Sequence, residues 1–426
     1  MQLAEKVFVM TIKTDILIIG GGSIGLNCAY YLLKSGRKVT IVDSKEIARG
    51  SSSGNAGHIV PSHIVPLAAP GIIGTALKWM LDPANSPFGM KISLDPAYLS
   101  WLIQFAGACS EANVQRAIPP LNALGQLSSA NFQRLITGEN FDCHYQQTGL
   151  LFLYKTREAL EGGKREAETL HQHGLPAEVL DQSAVHQREP AALPDVIGGV
   201  HFTGDASLNP ARFLERMAGC VQALGADVHE NTPVTAFEIH DQRIRTVRTA
   251  DQDFEPEQVV LAAGAWTPII MRGLHLKIPV QPARGYSLTM AAAGTMPRQA
   301  LLLGERRVAV TPMGGLLRFT GRLELSNLDT RPQPKHLAGI ERAVREYIEL
   351  EEELDVKETW AGLRPTTPDG MPIIGISPKH NNLILATGHA MLGLSLGPGT
   401  GQIVSELANR KATAFDIRPL RVERFN

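Results

Sequence analysis

Apolar positions along this chain follow two periods, and the switches between them mark out its elements. Ile16 to Ile19 is an apolar run short enough for a buried parallel strand, and it enters the turn Gly20-Gly21-Gly22-Ser23-Ile24-Gly25. Beyond the turn Ile24, Cys28, Ala29 and Leu32 recur at helical spacing, Gly36 stands where a left-handed cap ends a helix, and Lys38 to Asp43 reads as a second strand. The order strand, turn, helix, strand predicts a βαβ unit.

Further on, Ile72 to Leu81, Tyr98 to Gly107 and Asn113 to Leu135 carry helical patterning and interrupt the alternation, which predicts a cap over the βαβ unit with Trp79 and Trp101 as core residues. Gly149 to Tyr154 is apolar enough for a strand, and Arg157 to His173 is a charged surface helix. Asn209-Pro210 is a strong helix start, a cap residue followed by proline at the first helical position; Phe213, Leu214, Met217, Val221 and Leu224 form the buried stripe and Gly225 ends it. Strands then follow over Asp227–His229, Val234–Ile239, Arg243–Thr249 and Gln258–Leu261, the last running into Ala262-Ala263-Gly264. Pro279–Met290 and Arg307–Thr320 alternate as strands should, and Leu337–Leu354 predicts an amphipathic helix rich in i to i+4 charge pairs. Leu383–Thr387 is another short apolar strand, ending in Gly388-His389-Ala390-Met391-Leu392-Gly393 before a helix over Leu394–Leu407.

The first turn fits G-x-G-x-x-G, and its glycines differ in what they allow. Gly20 permits the tight turn, Gly22 removes the β-carbon that would block a pyrophosphate, and Gly25 lets helix and strand approach. Asp43, followed by Ser44, ends the second strand about 20 residues on, where an acid holds a ribose hydroxyl. The helix N-terminus adds free amides and positive dipole facing the phosphates. The loop Arg49 to His58 is so rich in small and polar residues that its amides stay accessible to a phosphate or a polar ring edge. Ala263 and Gly264 predict a second close approach to the same dinucleotide.

Composition narrows the classes. A chain of 426 residues, 44% hydrophobic, supports two or three domains, and a net charge of -1 without basic, aromatic-interleaved runs argues against nucleic acid as a partner. Four scattered cysteines, Cys28, Cys109, Cys143 and Cys220, without C-x-x-C spacing, argue against a metal ribbon or disulfide scaffold and fit a reducing cytosol. The first ten residues lack the apolar core of a signal peptide, with Met10 a candidate start, and no segment reaches the ~20 apolar residues of a membrane span. The apolar stretch Ile59 to Leu81, broken by prolines, reads as a buried cap rather than an interfacial helix.

The combination of GGGSIG with Asp43, SSSGNAGHIVP, LAAPG at 67–71, VVLAAGAWT at 259–267, RGYSLT at 284–289, WAGLRPTTPDGMPIIG and ATGHAMLGLSLGPGTG resembles the FAD-dependent amino-acid oxidoreductases. Within them the chain is most similar to the D-amino-acid dehydrogenases, with glycine oxidase and sarcosine oxidase as more distant relatives. The resemblance runs from about residue 14 to about 410. It implies an α/β fold: a discontinuous Rossmann-type FAD-binding domain from segments 10–85, 207–270 and 355–426, and a second α+β substrate domain on a mixed or antiparallel sheet from 86–206 and 271–354.

The resemblance also implies roles. Gly20, Gly22, Ser23, Ile24, Gly25, Asp43 and Ser44 would hold the ADP half of FAD, Ser52, Asn55, Ala56 and Gly57 would lie near pyrophosphate and flavin, and Val234 would contact adenine. Gly388, His389, Leu392 and Gly393 would lie along the pyrimidine edge of the flavin, where a helix N-terminus favours an anionic reduced ring. Arg364 matches the arginine that grips the substrate carboxylate, a role suited to a planar, permanently charged fork. Tyr286, His58 and His389 are further polar candidates, the histidines for tuning amine protonation, and Arg284 reads as structural. Sarcosine oxidases attach flavin through a cysteine in the segment matching Gly362 to Asp369, and this chain has none after Cys220, so non-covalent FAD is expected. No metal is expected.

The implied reaction is oxidative deamination of a D-amino acid, with cyclic D-proline or hydroxy-D-proline among the candidates, electrons passing to a quinone or other acceptor. The expected place is the cytoplasm, with peripheral attachment to the inner face of the membrane as a variant. An oxygen-dependent glycine or sarcosine-type oxidase, an electron-relay flavoprotein subunit and a nicotinamide dehydrogenase are the other readings of the same residues. Retention of Arg364 disfavours the relay, and the long C-terminal return to the dinucleotide domain disfavours the last.

Overall fold

The computed structural model describes residues 10–82 and 86–425; most of the N-terminal stretch that lacks a signal-peptide core lies outside them. Two sheets carry the fold. In the first, the parallel strands Asp227–His229, Val39–Val42, Met10–Ile19, Gln252–Leu261 and Leu383–Thr387 lie side by side. Antiparallel additions, Ala236–His240 with Arg243–Arg248 and Ile373–Ile376, finish its edges. The central run Ile16–Ile19 is buried on both faces, Ile16 and Ile18 in one core and Leu17 and Ile19 in another, which is why it is apolar without interruption.

Helices Ser23–Lys34, Pro210–Ala223 and Gly397–Ala408 cover one face, their apolar stripes forming one core with Ile16, Ile18, Val39 and Ile41. The expected cap at Asn209 is present, its side chain accepting from the Arg212 N–H at 3.2 Å. The long helix Glu111–Gly138, capped by Ser110, also packs here, against Gly397–Ala408. Its two internal prolines, Pro119 and Pro120, do not end it.

The second sheet is mixed and mostly antiparallel. It runs through Val356–Thr366, Gln281–Ala291, Leu316–Leu325, Val308–Pro312, Ala300–Leu303, Leu150–Tyr154, Gly198–Phe202 and Glu178–Asp181, with Phe88–Met90 beside Leu316–Leu325. Helix Pro334–Arg345 closes its back through Leu337, Ile340 and Val344.

Four expectations change. The boundary between 354 and 355 cuts the chain too early, because Val356–Thr366 pairs along its length with Gln281–Ala291 and carries Arg364 in the second sheet. The stretch Arg307–Thr320 is a hairpin turned at Gly314 and Gly315, both at positive φ. The helix expected to reach Leu354 stops at Arg345, where Tyr347 turns into the core and donates to Glu305 Oε2. The last helix begins at Gly397, after a 3-10 turn over Ala390–Leu392, three residues later than its periodicity implies.

The cap also differs from its pattern. Helix Ile72–Met80 buries none of its residues, and Trp79 is half-exposed on a cavity wall rather than core. Trp101, on Pro96–Ala108, is buried as expected; its indole N–H donates to the Thr366 carbonyl at 3.1 Å and its ring stacks on Phe105. Among the described residues no helix is long and apolar enough to cross a membrane.

Candidate active site

A cavity of about 1310 Å³ runs between the two sheets. That exceeds the ~300–1,000 Å³ of an ordinary small-ligand site and suits a dinucleotide plus a small second ligand. One end is made by the first turn. Gly20 sits at φ +109, and a β-carbon there would stand 2.6 Å from the Ala262 carbonyl oxygen. A β-carbon on Gly25 would meet the Gly20 carbonyl oxygen at 1.8 Å, whereas one on Gly22 would find only Ser52 Oγ, 4.0 Å away. The three glycines thus turn the chain, leave space and seat the helix, as their spacing predicts.

Asp43 accepts from the Gly21 N–H at 2.7 Å and the Lys45 N–H at 2.9 Å, which points it at the turn; burial raises its pKa above the usual carboxylate value. Ser44, Val234, Ala263 and Gly264 line the same end. Ser23 and Ile24 follow the turn, and the Ser23 hydroxyl donates to the Gly393 carbonyl at 3.2 Å, tying the motif to the C-terminal stretch.

In the middle lie Ser52, Asn55 and Ala56, facing His389, Leu392 and Gly393. Asn55 donates to the Met391 carbonyl at 3.3 Å and accepts from the Gly57 N–H at 2.9 Å. Gly25, Gly57 and Gly388 do not reach the wall. Gly57 and Gly388 turn the backbone at positive φ, and a β-carbon on Gly57 would strike the Leu208 carbonyl oxygen at 2.1 Å.

Arg364 lines the far end. Its Nη1 donates to the Arg322 carbonyl at 2.9 Å, and its guanidinium packs over Gly285, where a β-carbon would meet Nη1 at 2.1 Å. Among the described residues no carboxylate pairs with it. Asp369, the nearby acid that offers a structural ion pair, is held instead by Arg424 at 2.7 Å, with Arg116 at 3.8 Å. Burial pulls Arg364 down to about 10, so it remains a cation at neutral pH, with no anion beside it among the described residues.

The other polar candidates change. Tyr286 is fully buried behind the wall, donates to Glu324 Oε2 at 2.7 Å and packs on His336, so it does not face the cavity. Arg284 lies beside it, 3.6 Å from Glu324 and 3.5 Å from Asp329. His58 and His389 do line the cavity, but burial pushes both down to about 3, so they are neutral hydrogen-bonding groups rather than groups titrating near pH 7. His58 Nε2 pairs with Thr311 Oγ1 at 2.9 Å and His389 Nε2 with Thr400 Oγ1 at 3.0 Å, while His389 Nδ1 is buried without a partner.

Two residues of the site escape sequence reasoning. Arg318 is 4% exposed and donates to the Ser53 carbonyl at 2.7 Å and the Asn55 carbonyl at 3.1 Å, while pairing with Glu358 at 3.0 Å, so it fixes the small-residue loop to the second sheet. Trp360 fills the space over Gly54 and Gly362, where added β-carbons would stand 2.1 Å from its ring. Arg318 has no local motif, and Trp360, though it opens WAGLRPTTPDGMPIIG, has no role marked by it; strand register, which puts Arg318 and Trp360 one strand either side of Gln281–Ala291, brings them to the loop.

Comparison with known proteins agrees with this geometry. Residues 15–407 match the family described as FAD dependent oxidoreductase. The D-amino acid dehydrogenase of Paramagnetospirillum magneticum is 32% identical over 426 residues, covering 96% of this chain and 98% of the relative. That of Methylobacterium radiotolerans is 30% identical over 417 residues, covering 96% and 99%. Among solved structures, glycine oxidase from Geobacillus kaustophilus superposes with a TM-score of 0.80 at 22% identity, covering 96% of this chain and 98% of that one. L-proline dehydrogenase from P. horikoshii gives 0.75 at 22%, covering 98% and 100%. The fold is therefore shared with enzymes of differing substrate. With the match running from the first strand through the last helix, the chain belongs to the FAD dependent oxidoreductase family.

Proposed function

We propose that the chain is a D-amino-acid dehydrogenase that oxidises its substrate at the α-carbon and releases an imino acid, which water converts to keto acid and ammonia. The observation that carries the reading is Arg364, a buried cation with no anion beside it among the described residues, on the wall opposite the dinucleotide end. A substrate carboxylate supplies the missing charge and takes two parallel hydrogen bonds from the fork.

Gly22, Ser23, Asp43, Ser44 and Val234 would hold the adenosine and phosphates of FAD, and Ser52, Asn55, Ala56, His389, Leu392 and Gly393 the ring, without a thioether, no cysteine being among the described lining residues. Bound flavin supplies the two-electron acceptor for the α-hydrogen. The protein contributes orientation: Arg364 fixes the carboxylate, Trp360 and the loop held by Arg318 wall the chamber, and neutral His58 and His389 offer hydrogen bonds without a competing charge. Positioning of this kind lowers a barrier by several kcal/mol.

For the electrons we infer a quinone or similar apolar acceptor met at the inner face of the membrane, the chain otherwise being cytoplasmic. Support comes from exposed apolar side chains in and between the helices Ile72–Met80 and Pro96–Ala108: Ile73, Leu77 and Ile103 on the helices, and Leu81, Ile92 and Leu94 in the chain between them. The test is an anaerobic visible spectrum with D- and L-amino acids, D-proline included, followed by a short-chain quinone or air. Bleaching by D-amino acids and rapid recolouring by quinone but not air are expected. Recolouring by air with peroxide means an oxidase instead, and a flavin that no amino acid bleaches returns the relay subunit.

A further inference from the structure

The cavity wall carries a hydrogen-bonded chain that the carboxylate clamp does not use. His63 lies on the wall, and its Nδ1 is 3.2 Å from Ser62 Oγ. That hydroxyl donates to Asp205 Oδ2 at 2.6 Å, and the Ser62 N–H donates to Oδ1 at 3.2 Å. Asp205 is 1% exposed, on the turn between Gly198–Phe202 and Ala206–Ser207, and among the described residues no cation pairs with it.

The chain has a direction. Because the Ser62 proton goes to Asp205, Ser62 Oγ accepts from His63 Nδ1–H, which leaves His63 Nε2 as a lone pair. A buried carboxylate without a cation is costly, and a loop anchor alone needs only an amide at that position.

Resting on the proposed amino-acid substrate, the geometry points to His63, Ser62 and Asp205 as a proton relay that takes a proton from the substrate ammonium and stores it on Asp205. The α-hydrogen leaves with its electron pair only after the amine nitrogen has a free lone pair. In the relay the ammonium N–H bond breaks, its electrons staying on nitrogen, and directly or through one water the proton reaches His63 Nε2. Nδ1 gives its proton to Ser62 Oγ, and the former Ser62 proton passes to Asp205. The products are a neutral amine, a neutral imidazole of the opposite tautomer and a carboxylic acid; no oxidant is needed.

The surrounding charges fit this division of labour. Burial raises Asp205 to about 7, with Glu166 on helix Arg157–Gln172 adding to the rise, while burial and Arg307 lower His63 to about 4. His58, on the same segment, is neutral, and Arg165 lines the cavity beside Glu166. The imidazole therefore passes the proton without keeping it, and Asp205 is the acceptor matched to neutral pH.

The experiment measures the rate of anaerobic flavin bleaching by a D-amino acid against pH, in the holoenzyme and in Asp205→Asn, Ser62→Ala and His63→Gln. The wild-type rate should rise with pH through a midpoint near 7. The variants should lose that limb and bleach roughly tenfold or more slowly at pH 8. As a readout independent of turnover, infrared titration of the protein should show a carboxylic-acid band that disappears near pH 7 and is missing in Asp205→Asn. If Asp205→Asn does not fold, Ser62→Ala, which keeps the carboxylate, decides. A limb retained at the wild-type midpoint in variants of a bleachable enzyme overturns the relay alone; a wild-type flavin that no amino acid bleaches overturns the substrate reading and the relay together.

Discussion

The two ends of the cavity are built from different materials. The end proposed for the dinucleotide centres on backbone: the Gly20 to Gly25 turn and the amides that follow it, with the acid Asp43 in the same βαβ unit and Val234, Ala263 and Gly264 added from outside it. The end proposed for the carboxylate centres on one side chain held by distant parts of the chain: Arg364 on Val356–Thr366, cradled by Gly285 on Gln281–Ala291 and anchored by the backbone carbonyl of Arg322 on Leu316–Leu325. Backbone sites tolerate few residue types and so leave a contiguous pattern; side-chain sites depend on register and leave scattered letters.

The sharpest way to break this contrast is Gly25→Val. With the Gly20 carbonyl oxygen 1.8 Å from where the β-carbon would stand, helix and strand must separate, at a cost on the order of 3 kcal/mol. The purified variant should be colourless or unfolded, and thermal melting with flavin fluorescence reads both. Next comes Arg364→Ala, which should leave FAD bound but cut kcat/KM by a factor on the order of 10²–10³, about 3–4 kcal/mol of a charged, desolvated contact. Steady-state kinetics against a D-amino acid checks it, and equal kcat/KM would take the carboxylate away from Arg364.

Arg318→Ala should show the opposite division: weaker flavin retention on dialysis and a stability loss of about 1–3 kcal/mol, because the Ser53 and Asn55 carbonyls lose a buried donor. Asp43→Ala should also loosen FAD, and full occupancy after dialysis would remove it from the ribose.

The histidines give a pH prediction. A histidine lowered in the folded state to about 3 binds its proton in the unfolded chain first, near 6.5, so stability is complete above that value and lost as pH falls toward 3, by up to ~1.4 kcal/mol per pH unit per group. Asp205, raised to about 7, acts with the opposite sign between its unfolded value of 3.8 and 7. The clean measurement is the difference in Tm between wild type and His389→Gln, which should shrink or reverse from pH 7 to pH 5. Smallest is Tyr286→Phe: about 1 kcal/mol of stability for the bond to Glu324, with KM unchanged. A large rise in KM would return Tyr286 to the substrate.

The same contrast explains what can be read from the sequence. The βαβ unit, the capped helix at Asn209 and the strands running into Gly264 and Gly388 are legible because propensity, period and glycine position agree there. Arg364 is legible only through resemblance, since nothing in its neighbourhood marks it as unpaired. Tyr286 is misplaced for a related reason: alternation tells which residues share a face but not which face meets the cavity, and Tyr286 faces Pro334–Arg345 instead. Helix Ile72–Met80 misleads in another way, because its apolar pattern implies burial where the helix instead frames an opening. His58 and His389 lie on the wall as expected, but without the ordinary histidine pKa, which burial removes. Ser62 and Asp205 give no signal, as their contact spans 143 positions.

The central claim, that one end holds FAD and the other a carboxylate on Arg364, is tested most directly by titrating the FAD-loaded wild type and Arg364→Ala anaerobically with the same D-amino acid while recording the flavin spectrum. Both proteins should be yellow with equal FAD content, the wild type should bleach at low concentration, and the variant should stay yellow until the concentration is raised about a hundredfold or more. Identical bleaching curves for the two proteins would contradict it.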